Sequence, residues 1–223
     1  FLQNRYEANI AVKENRKQNK LTTVDYLLGV YDESRMGALR FKLNINGEFV
    51  SFDKAVATPP WVKLRDLEFA SLEYEKDENS LNESFLKMLL MPGSSLGGAR
   101  PKASVVDNEG NLWIAKFPSK NDTEDIGAWE MVAHDLAQLC SINVPEAKLE
   151  HFSKHHTYLS KRFDRNGKNR IHFASAMTLL NKTDGEESSY LELASFIKAN
   201  GAKPNEDLKE LFKRIAFSIA ISN

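Results

Sequence analysis

Only one cysteine, Cys140, occurs among the 223 residues, so no disulfide can form within the chain and stability must rest on a packed core. Cys140 falls in an apolar helical pattern, which predicts a buried structural thiol and fits a reducing compartment. Nowhere do eighteen or more apolar residues run together, and the opening FLQNRYEANIAVKENRKQNK lacks the charged-then-apolar order of a secretory signal. The chain therefore reads as soluble and cytoplasmic, with no membrane partner expected. Charge of one sign is also lacking: 30 basic against 31 acidic residues give a formal net charge of −1, which argues against a global nucleic-acid footprint. Two phosphate-binding signatures are missing as well. Gly98 is followed by Ala99 and Arg100 where a Walker loop needs Lys and Ser or Thr, and no G-x-G-x-x-G is present.

What remains is a globular composition, 42% hydrophobic and 27% charged, in a chain long enough for one large domain or two small ones. Mixed charge at helical spacing covers residues 2 to about 17, and Thr22 or Thr23 caps a short helix ended by Gly29. Asn46-Gly47 between Gly37–Leu43 and Glu48–Ser51 predicts a hairpin. After Pro59-Pro60, leucine spacing predicts helices over 64–72 and 79–90, with a soft boundary near Lys76–Ser80. Strand-like runs at 103–106 and 112–117 flank Asp107-Asn-Glu-Gly110, a second hairpin. The clearest helix covers 123–141, entered through Asp122 or Thr123, with Ile126, Trp129, Val132, Ala133, Leu136, Leu139 and Cys140 as its apolar stripe. Runs near 147–151 and 158–163 read as strands, Asn166-Gly167 as a tight turn before 170–173, and 187–199 and 206–222 as helices. The order implies an α+β fold, a mixed lobe followed by a helical one.

Chemistry concentrates in Pro92–Lys116. The loop offers Ser94 and Ser95, the glycines 93, 97 and 98, and the cations Arg100 and Lys102, a set suited to anionic oxygens because glycine lets backbone N–H groups converge on a phosphate. A flexible surface turn has the same composition. Downstream, Lys116 ends a strand and Glu130 follows on a helix. A glycine-rich loop, a strand lysine and a helix glutamate, in that order, are what a protein-kinase-type nucleotide site requires: the lysine meets phosphate and the glutamate holds the lysine. Taken singly, Lys116 could be an exposed strand end and Glu130 a solvated helix residue.

The strings PGSSLGGARPKA, WIAKFP, WEMVAHDLAQLCSINVPEA and YLSKRFDR, in this order, resemble the HipA family of bacterial serine/threonine kinases, toxins of type II toxin–antitoxin systems. DYLLGVYDESRMGALRF is similar to that family's amino-terminal subdomain, and LFKRIAFSIAISN to the helix leading into its catalytic loop. The resemblance implies a protein-kinase-like fold, with residues 1–78 as a partial N-terminal subdomain and 79–223 as the nucleotide-binding lobe and the start of the helical lobe. It further implies that Ser95 is the autophosphorylated loop serine, that Ser95, Leu96, Gly97 and Gly98 cradle phosphate, and that Lys116 and Glu130 are the catalytic ion pair. Lys161 to Phe163 would be the hinge whose backbone binds adenine, and Asp164 would reach the ribose. Lys161 stands where an acidic residue occurs in relatives, which puts side-chain contacts there in doubt but not backbone ones.

By the same resemblance, the aspartate base and the Mg2+ ligands lie beyond Asn223. The chain is expected to be a fragment lacking both ends, inactive by itself, with no metal ligands of its own. The implied cofactors are ATP and Mg2+. The implied partners are a protein substrate, such as a translation component, and a DNA-binding antitoxin, without direct nucleic-acid binding by this chain. A non-catalytic module that scaffolds a protein partner is the alternative.

Phosphorylation adds a charge of about −1.5 to −2, and at Ser95 that charge would fall where ATP phosphates lie. The intact protein carrying Ser95→Asp is expected to lose ATP binding, measured by titration calorimetry. Unchanged affinity would contradict the switch.

Overall fold

A computed structural model describes residues 2–50, 58–76, 96 and 100–222. The chain divides into two compact units, one of Phe1–Met131 with Pro145–Ile171 and one of Val132–Val144 with His172–Asn223. In the first unit, α1 (Leu2–Lys13) is followed by α2 (Thr23–Leu28). Thr22 caps α2 reciprocally: its hydroxyl accepts from the Asp25 N–H, and the Asp25 carboxylate accepts from the Thr22 N–H at 2.7 Å. The hairpin expected around Asn46-Gly47 contracts to a single antiparallel bridge, Lys42 to Phe49, with the Val50 N–H donating to the Phe41 carbonyl at 2.8 Å. Arg40 is drawn into an ion pair with buried Asp32 and lies over the Phe49 ring at 3.2 Å, so side-chain contacts dominate where a ladder was expected. The expected helix 79–90 and Ser51 lie outside the described residues.

A 3-10 turn, Trp61–Lys63, runs into α3 (Leu64–Lys76). Leu64, Leu67 and Ala70 recur at helical spacing and are all fully buried, which fixes the face that α3 turns inward. Against it lies a four-stranded antiparallel sheet in the order β1-β2-β4-β3, built from β1 (Lys102–Val106), β2 (Leu112–Lys116), β3 (Ala147–His151) and β4 (His156–Lys161). Alternation on each strand separates two faces. Ala103, Val105, Trp113, Ala115 and Leu159 join Leu64, Leu67 and Phe117 in the core, with Trp61 packed edge-on against Trp113 at 5.3 Å. Truncating Leu64 or Leu67 to alanine here removes about 2–5 kcal/mol by the usual cost of a core cavity.

The β1–β2 turn is held by Asp107, whose carboxylate accepts from the N–H of Glu109 at 3.0 Å and of Asn111 at 2.8 Å, and from the Trp113 indole at 2.9 Å. Gly110 supplies the left-handed residue, φ +84°, that the turn needs. Burial pushes the Asp107 carboxyl up, but the Asn111, Trp113 and Glu109 donors outweigh it and hold it at about 2. Beyond β4, the two-residue strands β5 (Arg165–Asn166) and β6 (Asn169–Arg170) close the turn expected at Asn166-Gly167.

The long helix is α4 (Ile126–Leu139), shorter at both ends than expected. Its N-cap is Asp125, which accepts from the Ala128 N–H at 3.1 Å; Asp122, expected there, instead accepts from the Ser119 N–H at 2.8 Å. The expected apolar stripe is not the buried face. Trp129, Val132, Leu136 and Leu139 are exposed, whereas Gly127, His134 and Ala137 are buried. In the first turn the reason is spacing: a Cβ at Gly127 would lie 2.2 Å from the His156 carbonyl oxygen, so the backbones touch where no side chain fits. Cys140, expected buried, is exposed one residue past the helix.

In the second unit, α5 (Ala176–Leu179) precedes α6 (Tyr190–Asn200) and α7 (Pro204–Ala220), which pack on each other. Ser189 and Glu192 form a capping box on α6, and Pro204 opens α7 at the position that lacks a helical N–H partner anyway. From α7, Glu210 accepts from the Asn143 N–H at 3.2 Å, and Arg214 donates to the Asn143 carbonyl. The architecture is mixed α+β with an antiparallel sheet, and among the described residues no helix is long and apolar enough to cross a membrane.

Gly127→Ala is expected to lower the urea midpoint. The roughly 1 kcal/mol gained in helix propensity is smaller than the overpacking cost, about 1–3 kcal/mol or more against a backbone oxygen that cannot rotate away. An unchanged or raised midpoint would contradict the close approach.

Candidate functional site

Lys116 is the last residue of β2, and Glu130 lies one turn into α4. Lys116 Nζ donates to Glu130 Oε2 at 2.6 Å, with both side chains partly open to solvent. The sheet register explains why Lys116 faces the helix: it pairs with Tyr158 on β4 and Lys102 on β1, on the face opposite Trp113 and Ala115. Its ammonium also lies 5.3 Å from the Tyr158 ring centroid, a cation–π distance.

Lys102 is therefore a direct cross-strand neighbour of Lys116, and like charges in that position repel. Burial lowers the Lys102 pKa from its ordinary value; the Lys116 charge lowers it further, Glu130 acts in the opposite direction, and Arg100 adds to the lowering. Arg100 is held in a bidentate pair by Asp122, at 3.1 and 2.6 Å. Burial would raise Asp122, but Arg100 and the Ser119 N–H dominate and hold it below the ordinary value. Lys102 and Lys116 thus lie side by side on one sheet face, with Glu130 against Lys116.

Glu130 owes its position to the anchoring of α4. Asp125, five residues earlier, accepts from the His156 N–H at 3.0 Å and contacts His156 Nδ1 at 2.5 Å, in addition to capping the helix. Together with the Gly127 contact this pins the helix start to the beginning of β4. Burial pushes the Asp125 carboxyl up, yet the hydrogen bonds from the His156 side chain and from the Ala128 and His156 N–H groups bring it down from 3.8 to about 2.

The remaining expected residues are placed differently. Ser95, Gly97 and Gly98 lie outside the described residues; Leu96 is half-buried. Lys161 pairs with Trp113, so its side chain lies on the face opposite Lys116, 5.8 Å from the Trp113 ring and 3.4 Å from Glu146. Its backbone alone can serve a site on the Lys116 face. Phe163 is exposed just past the strand. Asp164, expected at a ribose, is fully buried, and its carboxylate is engaged by Arg162 at 2.8 and 2.7 Å, by Arg165 at 2.7 Å and by the Gly37 N–H at 2.6 Å. A ribose contact would require Asp164 to leave that cluster. Among the described residues, no group of three or more His, Cys, Asp or Glu side chains is arranged to hold a metal ion.

Tyr158, Lys102 and the Asp125–His156 anchor are the components that sequence reasoning missed or left in the loop. The first two follow once β2 is paired with its neighbours in register. The anchor depends on a contact across 31 positions that no local pattern announces.

A strand lysine paired with a helix glutamate, beside a second lysine on an antiparallel sheet, marks this α+β protein. A family model, the HipA-like C-terminal domain, matches residues 94–223, more than half the chain, and the chain belongs to that family. Compared with curated proteins, it has no match.

The sign of the Asp125 shift sets a pH dependence. A carboxyl held at about 2 in the folded chain contributes stability that is complete above its ordinary 3.8 and is lost as pH falls through about 2. Urea midpoints between pH 6 and 2 are expected to fall less steeply for Asp125→Asn than for the wild type, from a lower starting value. Parallel curves would contradict the anchor's ionic character.

Proposed function

We propose that this chain carries the nucleotide-binding part of an ATP-dependent serine/threonine protein kinase of HipA type, with a protein-kinase-like fold. The observation that carries the reading is the 2.6 Å ion pair between Lys116 and Glu130. In this reading Glu130 holds the Lys116 ammonium as a fixed point charge against ATP phosphates, and Lys102, its cross-strand neighbour, adds a second. A polyphosphate suits this donor set, since two lysines stand as direct cross-strand neighbours on that face. ATP supplies the phosphoryl group. The chain's own residues bind and orient it: Ser95 to Gly98 cover the phosphates with backbone N–H groups, and the backbone of Lys161 and Phe163 receives adenine.

Mg2+ belongs to the same proposal, and no step is assigned to it here. The protein target, with a translation component as the candidate, the DNA-binding antitoxin, the cytoplasmic location and the division into residues 1–78 and 79–223 belong to the same proposal. Its support is membership of the HipA-like family. Autophosphorylation of Ser95 adds negative charge to the loop, and the loop is then ejected with loss of activity.

Intact protein incubated with labelled ATP is expected to incorporate phosphate, and Lys116→Ala to lower the rate by roughly a hundredfold or more, the scale of losing one charged transition-state contact. Equal incorporation by both proteins would remove the kinase reading.

A further inference from the structure

The segment between α2 and the Lys42–Phe49 bridge is bound to the end of β4 by a buried polar cluster. Arg162 Nη1 donates to the Ser34 carbonyl at 2.7 Å and Nη2 to the Arg35 carbonyl at 3.1 Å. Arg165 donates to the Arg35 carbonyl at 2.7 Å, and Arg170 to the Asp32 carbonyl at 2.6 Å. In the reverse direction, the Gly37 N–H donates to Asp164 at 2.6 Å, from a left-handed backbone with φ +71°. The side chains of Arg162 and Asp164 have no solvent exposure at all.

Desolvating an ion pair so completely is a poor route to stability, because apolar residues of similar volume hold a core at least as well. What such a pair supplies is fixed geometry. The β4 strand ends at Lys161, and Arg162 lies between the two residues, Lys161 and Phe163, whose backbone the ATP reading uses for adenine. With Arg162 and Asp164 turned inward and Phe163 turned out, the direction of that backbone is set by carbonyls and an N–H that lie some 127 positions earlier in the chain.

We propose that the Ser34–Gly37 segment is a working part of the adenine subsite, with Arg162, Asp164 and Arg165 as positioning residues that transmit its placement to the Lys161–Phe163 backbone. The inference rests on the ATP reading and assigns Asp164 to the hinge's support in place of the ribose.

The test compares intact wild-type protein with Gly37→Ala, which strains the donor to Asp164, and Arg165→Lys, which keeps the charge but loses the fork whose Nη2 holds the Arg35 carbonyl while Nη1 holds Asp164. Each is titrated with ATP and with inorganic triphosphate, and cooperative thermal unfolding establishes that it is folded. Should Gly37→Ala fail to fold, Arg165→Lys carries the comparison. ATP is expected to bind about tenfold more weakly to each variant, the factor carried by one hydrogen bond to a charged group, while triphosphate binding stays unchanged. Equal weakening of both ligands, or of neither, overturns the inference. Wild-type protein that binds neither ligand removes the nucleotide reading itself, and this one with it.

Discussion

A pleated strand sends successive side chains to opposite faces, and β2 depends on that alternation to do two jobs within five residues. Trp113 and Ala115 enter the core over α3, while Lys116 emerges on the other face beside Lys102 and Tyr158. A slip of one residue would bury the lysine among Leu64, Leu67 and Leu159 and expose the tryptophan. The Trp113 indole bonded to Asp107, the Trp61 ring against it and the full Asp107 turn all oppose such a slip, so the features that build the core also aim the lysine.

The second requirement is that a helix meet this face at the right height. Side chains between a helix and a sheet ordinarily hold the two backbones apart. At Gly127 that spacer is missing, and the helix start lies directly on the His156 carbonyl. Asp125 then ties the same helix turn to the His156 N–H and ring. With its origin fixed by a steric contact and a charge-assisted one, α4 delivers Glu130 to Lys116 without relying on its own apolar stripe, which faces outward.

Much of this was legible in the sequence where the signal is local. The Asp107-Asn-Glu-Gly110 turn, the capped start of α2, the leucines of α3 and the order of Lys116 and Glu130 all follow from short-range spacing. The parts that were not legible are set by contacts between distant residues. Helical periodicity in α4 marked Trp129, Val132 and Leu136 as the inner face, but periodicity only says that a face exists, and the close approach at Gly127 decided which one. The Asn46-Gly47 signal promised a hairpin, yet Arg40 had a stronger partner in Asp32. Asp164 reads in one dimension as a free carboxylate next to the Lys161–Phe163 segment; two arginines and a remote N–H make it an interior residue.

The strand order β1-β2-β4-β3 joins two hairpins through their inner strands. Each hairpin closes a short loop, which costs little chain entropy, whereas the β2–β4 seam must gather all of α4 and β3 between its partners. That seam is therefore the pairing of greatest sequence separation in the sheet, and it also accompanies the contact of His156 with Asp125. Until it forms, Lys116 has a strand but no positioned glutamate, and the core beneath is equally open, because Leu159 of β4 meets Ala115 of β2 across the same seam; the core and the Lys116–Glu130 pair are completed together.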